Sequence, residues 1–122
     1  MSLVLDSCIL IDYLAGNASA REYIRSADGA AISMITWMEV VVGAASPDEE
    51  LVVRAFLATF EILPVDASVA EEAVRLRRAR RMKPPDAIIF ATARVHRREL
   101  ATRNTKDFAT DEPGVRIPYR LP

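Results

Sequence analysis

The sequence predicts an α/β fold, a parallel sheet covered by helices, and three observations carry the prediction. Short apolar runs of strand length recur along the chain, each separated from the next by a helical stretch, which is the pattern of a parallel sheet wound with helices. Gly, Pro, Asn and Asp punctuate the junctions between those segments. With 122 residues, 51% hydrophobic and 27% charged, the chain has the size and balance of one globular domain, expected to span residues 1–122.

Leu3-Val4-Leu5 is an apolar run ending in Asp6-Ser7, and Ile9, Ile11, Tyr13 and Leu14 then form a helical pattern stopped at Gly16-Asn17. A second helix is expected from Ala18 to Ala27, a turn at Asp28-Gly29, and a buried strand at Ala30-Ala31-Ile32. Ser33 to Val42 reads as a helix ended by Gly43. Ser46-Pro47-Asp48-Glu49 is a helix start, with a cap residue, a first-turn proline and acids at the positive end of the dipole; that helix is expected to reach about Phe60. Ile62 to Val65 is a candidate strand. Asp66 or Ser68 can cap a helix through Met82, with Val69, Ala73 and Leu76 on one face. Pro84-Pro85 breaks the chain before a helix from Asp86 to about Arg97, and Glu99 to Thr102 and Val115 to Ile117 close the series as strands.

Composition excludes several classes. No stretch approaches the ~20 apolar residues of a membrane span, and the acid at Asp6 interrupts any secretory leader, so a cytoplasmic protein is expected. Cys8 is the single cysteine, which rules out an internal disulfide, and its apolar neighbours Ile9, Leu10 and Ile11 disfavour a reactive thiolate. The net charge of −1 conceals a basic segment, Arg75 to Arg103, holding ten basic residues against Asp86 and Glu99. Such a cluster, with Arg77, Arg78, Arg81, Lys83 and Arg103 as candidates, can hold nucleic-acid phosphates; it can equally be a solvated helix face.

In an open parallel sheet, ligands bind beyond the carboxyl ends of the strands. Asp6 ends the first strand, Glu39 lies in the helix after the second, Asp86 opens the helix before the fourth, and Asn104 and Asp107 follow the fourth. Converging carboxylates repel by a few kcal/mol per close pair at an effective dielectric of about 20, a strain that a divalent cation relieves. An all-oxygen donor set suits Mg²⁺ or Mn²⁺ rather than zinc, and such an ion lowers the pKa of water for phosphodiester hydrolysis. Each acid also has a plain structural reading. Asp6-Ser7 fits a helix cap, Thr36-Trp37-Met38-Glu39 fits a capping box, and Asp86 fits a first-turn acid facing the dipole. Their joint placement favours the site.

At these residues the sequence resembles the PIN-domain family, and within it the VapC-type toxins of toxin-antitoxin pairs. The matching segments are Leu5 to Leu14, Ile32 to Glu39 with Gly43, Pro85 to Ala93, and Leu100 to Phe108, together spanning almost the whole chain in order. The resemblance implies a three-layer α/β/α sandwich, Mg²⁺ or Mn²⁺ dependence, and endonucleolytic cleavage of RNA. It carries the metal ligands onto Asp6, Glu39 and Asp86, and its Thr-x-Asp pattern falls on Thr102-Arg103-Asn104 with Asp107 nearby; Ser7, read from its own position, either assists a metal-bound water or only caps. It also implies a homodimer and a cognate antitoxin whose C-terminal segment reaches the active site. One departure concerns Asn104, a neutral amide where many members carry a fourth acid; Asp107 is either its substitute or a loop-shaping residue.

Two readings compete. A receiver-like module would use Asp6 for Mg²⁺, Asp66 as phosphoacceptor and Lys106, but leaves Glu39 and Asp86 without a role. A non-catalytic RNA- or protein-binding module fits the arginines but not the three acids. His96 reads as a surface or helix-end histidine, and Trp37 and Met38 as packing or partner-contact residues.

Overall fold

The computed structural model describes residues 2–121, leaving Met1 and Pro122, the first and last residues of the expected domain, outside it. Five parallel strands form one sheet in the order β3-β2-β1-β4-β5. They are β1 (Leu3–Leu5), β2 (Ala31–Ser33), β3 (Glu61–Leu63), β4 (Glu99–Ala101) and β5 (Val115–Arg116). The chain winds outward from β1 to β3, then crosses back to lay β4 on the other side of β1. The order therefore reverses between β1 and β4, where a crevice opens beyond the strand ends.

Among the described residues six helices cover the sheet: α1 (Ser7–Leu14), α2 (Ala18–Ser26), α3 (Met34–Val42), α4 (Pro47–Leu57), α5 (Ala67–Arg80) and α6 (Pro84–Val95). Strand residues alternate between two cores, as a pleat requires. Val4, Ala31 and Leu100 face α5 and α6, where they join Val69, Ala73, Leu76, Ile89 and Phe90. Leu3, Leu5, Ile32 and Ala101 face the other way, onto Ile9, Leu10, Val40, Val53 and Leu57. Two helical layers sandwich the sheet, as the resemblance implied. Among the described residues no helix is long and apolar enough to cross a membrane.

The local signals act where the sequence placed them. Ser46 accepts from the Glu49 amide ahead of Pro47, and Asp66, not Ser68, caps α5 by accepting from Val69 N at 3.0 Å. Some ends shift. Helix α4 stops at Leu57, short of Phe60, because a tightening turn follows in which Thr59 Oγ1 donates to Phe56 O. Helix α5 ends at Arg80, before Met82, with Arg81 in the left-handed region at φ 55°. Helix α6 begins at Pro84 itself, since a first-turn proline gives up an amide that has no helical partner anyway, and ends at Val95 with His96 as its cap.

Candidate active site

Asp6 stands at the carboxyl end of β1, at the point where the strand order reverses. Its two carboxylate oxygens serve different neighbours. Oδ1 accepts from the Ser7 amide at 2.7 Å, capping α1, while Oδ2 accepts from Thr102 Oγ1, also at 2.7 Å, across the crevice from the end of β4. Capping thus occupies Oδ1 while Oδ2 turns toward β4, so the cap does not preclude a place in a site. Thr102 is fully buried and in turn accepts from the Asn104 amide at 3.0 Å, so the loop leaving β4 is tied to Asp6.

The capping box expected of Thr36 and Glu39 does not form. Ser33 is the cap of α3, accepting from Ile35 N, and this puts Thr36 inside the helix with its hydroxyl buried and unpartnered. Glu39, two turns in, is freed from any capping duty. Its Oε1 is buried without a hydrogen-bond partner, and its carboxyl lies above the usual range: burial is the main cause, Ser7 opposes it, and the charge of Asp6 adds to it.

Asp86 sits in the first turn of α6, whose cap residue, Lys83, makes no side-chain capping bond. Were Asp86 only answering the helix dipole, its acidity would increase. Instead its carboxyl is pushed up to about 6, first by burial and then by the charges of Asp6, Asp107 and Glu39, with Lys83 acting the other way. Desolvation and like charge outweigh the dipole, and Asp86 feels the charges of Asp6, beyond the end of β1, and of Glu39 on α3.

A cleft of about 430 Å³ is lined by Asp6, Ser7, Cys8, Asp86, Arg103, Asn104, Thr105 and Lys106. Glu39 lines a second, more apolar groove with Ile11, Val40, Gly43 and Val52. Among the described residues no three acidic, Cys or His side chains close directly around a single ion. The donor set, with its repelling acids and an orphaned buried oxygen on Glu39, fits a hydrated divalent cation.

The supporting residues divide. Asn104 and Asp107 are bonded to each other, Nδ2 donating to Asp107 Oδ2 at 2.8 Å and Oδ1 accepting from the Asp107 amide, so Asp107 shapes the loop while its charge still reaches Asp86. Cys8 is inert, its thiol raised to about 11 by burial and the nearby Asp6. Asp66 lies beyond edge strand β3, with β2 between that strand and β1, and its carboxylate is occupied as a cap.

The basic segment is less available than its charge suggests. Arg80, Arg94 and Arg98 pair with Glu112, Glu72 and Glu61, and Arg75 also pairs with Glu72. Arg77 donates to Met82 O. Arg103, expected among the RNA contacts, is instead forked onto Asp12. Arg78, Arg81 and Lys83 are exposed.

Asp12 is the residue that sequence reasoning missed. It is buried near the end of α1, and Tyr119 Oη donates to it at 2.8 Å beside Arg103. An acid three positions after Ile9, on the core side of an apolar helix, signals burial and hence a cationic partner. The partner, 91 positions away, has no local signature.

Comparison with known proteins agrees with this geometry. The family profile described as PIN domain matches residues 3–110. Ribonuclease VapC10 of Mycobacterium tuberculosis is 34% identical over 128 aligned positions, covering 98% of this chain and 95% of that protein. A chain of a toxin-antitoxin complex from Klebsiella pneumoniae superposes with a TM-score of 0.91 at 47% identity, covering 98% of this chain and 99% of that one. A chain of DNA-bound VapBC from Salmonella typhimurium gives 0.81 at 28% identity, with 96% of each chain covered.

Proposed function

The chain belongs to the PIN-domain family, and from that premise we propose that it is a ribonuclease, the toxin of a toxin-antitoxin pair, with Asp6, Glu39 and Asp86 holding its catalytic cation. The observation that carries this reading is the coupling of the three acids at the β1/β4 switch point: each comes from a different element, yet the charges of Asp6 and Glu39 push up the carboxyl of Asp86. Ribonucleases of this family are divalent-metal dependent; the all-oxygen donors favour Mg²⁺ or Mn²⁺. When bound, the cation lends Lewis acidity to hydrolysis of the phosphodiester.

The protein's own groups do the rest. Thr102 and the Ser7 amide hold the Asp6 carboxylate in one orientation, and Ser7 favours the ionised form of Glu39. Arg78, Arg81 and Lys83, at the end of α5 and the start of α6, offer the RNA backbone positive charge beside Asp86. Asn104 contributes no charge, so one cation is the expected complement. We further place the protein in the cytoplasm as a homodimer.

The antitoxin has a matching surface. Met34, Met38 and Val42 recur every four residues along α3, each exposed, and Leu51 and Val52 of α4 are 68% and 64% exposed. This apolar face adjoins the groove that reaches Glu39. An apolar antitoxin segment seated there would end at the carboxylates and block them.

The test is cleavage of a mixed structured-RNA pool by partner-free protein with Mg²⁺ or Mn²⁺, beside EDTA and Asp6→Asn controls. Cutting is expected to need both metal and Asp6, with Asp6→Asn at least ~100-fold slower. Asn caps a helix as well as Asp, so the variant stays folded. A metal-requiring, fully active Asp6→Asn protein would sink the assignment.

A further inference from the structure

The nuclease site does not account for the partly buried ion pair of Asp12 and Arg103. The Asp12 side chain is 10% exposed, and it receives Arg103 through both oxygens, Nε to Oδ2 and a terminal nitrogen to Oδ1 at 3.0 Å. Tyr119, from the segment after β5, adds its hydroxyl to Oδ2. Burial works to raise the Asp12 carboxyl, but the bonds from Arg103 and Tyr119 and the charge of Arg103 overcome it and hold the group below its usual range. The three residues thus fasten the loop after β4 and the C-terminal segment to α1.

The position of Arg103 gives the clamp a consequence beyond stability. Arg103 is also part of the cleft wall with Asp6 and Asp86, and among the residues lining that cleft it alone carries a planar fork able to grip a carboxylate by two bonds. The cleft acids Asp6 and Asp86 would welcome it, since they face the same space and crowd each other with like charge. A guanidinium there would neutralise the charge that a divalent cation needs. Lys83 and Lys106 also lie near these acids, but as compact point charges.

We propose that Asp12 and Tyr119 are positioning residues that withhold Arg103 from the acidic cleft, so that its carboxylates stay open to the cation. The same grip fixes the residues flanking Arg103, keeping the Thr102 hydroxyl on Asp6 and the Asn104 amide on Thr102. Release from Asp12 turns Arg103 into an internal competitor for the site. The proposal rests on the nuclease reading of the three acids.

The experiment measures Mn²⁺ binding by calorimetry on full-length, partner-free protein: parent, Asp12→Asn, Asp12→Asn/Arg103→Gln and Tyr119→Phe, each checked for folding by circular dichroism. Asp12→Asn should weaken Mn²⁺ binding roughly tenfold, and removing Arg103 as well should bring affinity back to within about threefold of the parent. Tyr119→Phe, which costs one bond, should weaken it about twofold. In RNA cleavage, Asp12→Asn should need more Mn²⁺ for half-maximal rate yet approach the parent rate at saturation. Parent-like affinity in Asp12→Asn overturns the proposal. So does a double variant no tighter than the single, which would mean a distorted loop and not a competing arginine. If Asp12→Asn does not fold, Tyr119→Phe against Tyr119→Phe/Arg103→Gln decides by the same comparison. A parent that binds no Mn²⁺ removes the nuclease reading itself, whereas binding by the parent with unchanged variants removes only the clamp.

Discussion

Glu39 shows how a single side chain records a conflict between folding and function. A carboxylate oxygen buried without a donor costs the metal-free protein free energy, of the order of 1–3 kcal/mol for an unsatisfied polar group. Replacing it with glutamine removes the charge at nearly constant shape. Glu39→Gln should therefore melt at a higher temperature than the parent in EDTA, while gaining less from added Mg²⁺ and losing cleavage; a lower melting temperature in EDTA would contradict the strain. Asp86 makes a pH-dependent version of the same argument. Its folded value of about 6 lies above the ordinary 3.8, so the folded metal-free protein takes up a proton more readily than the unfolded chain. That contribution to stability is complete below the unfolded value and is lost as pH rises through the folded one. Melting in EDTA, parent minus Asp86→Asn, should fall between about pH 4 and about pH 6, and Mg²⁺ should raise the parent's melting temperature more at about pH 7.5 than at about pH 5, where protons compete. A flat difference would show that neither burial nor like charge raises Asp86.

The helices divide the chain's charge between structure and binding. Arg80, Arg94 and Arg98 are spoken for by glutamates, whereas Arg78, Arg81 and Lys83 sit exposed around the α5–α6 junction. Replacing those three with alanine should weaken RNA binding and flatten its dependence on log salt by about 2, near 0.7 for each single-strand phosphate that no longer meets a cation. An unchanged salt slope would put the RNA elsewhere. The sequence made the elements visible because their signals are local: Ser46-Pro47 starts α4 and Asp66 caps α5 by side-chain bonds to amides three residues on. Asp6 and Asp86 stood out in the sequence as candidate site residues because strand ends and helix starts are where such a sheet gathers ligands. The end of α4 was not, since no glycine or proline marks Leu57 and only the Thr59 bond to Phe56 reveals the turn. Glu39 was half legible, because Ser33 starts the helix in the sequence reading too, yet Thr36 offers Glu39 the same capping signature, and only the Ser33 bond to the Ile35 amide decides between them. The pairing of Asp12 with Arg103 and Tyr119 could not be read at all, because it depends on β4 and the last segment folding back beside α1.

At the scale of the whole molecule, the two helical layers are unequal. Both layers leave apolar side chains outside, Val74 of α5 among them, but the α3–α4 side leaves the most, with Val42 83%, Leu51 68%, Val52 64% and Met38 54% exposed. Val42→Asp together with Met38→Asp should abolish co-purification with the antitoxin while leaving metal-dependent cleavage by the isolated protein in place; retained capture of the partner would move its docking surface off α3. The sheet order carries a last consequence, for the time at which the protein comes into being. β1 is made first, yet one of its two neighbours is β4, and the hydrogen bond that steadies Asp6 comes from Thr102, 96 positions later. A nascent chain that has emerged only as far as β3 carries Asp6 and Glu39 but neither Asp86 nor Thr102. Long-range pairing of this kind is slow to form, so the three carboxylates come together only once the chain has reached Thr102, and a fragment ending at β3 cannot assemble the set.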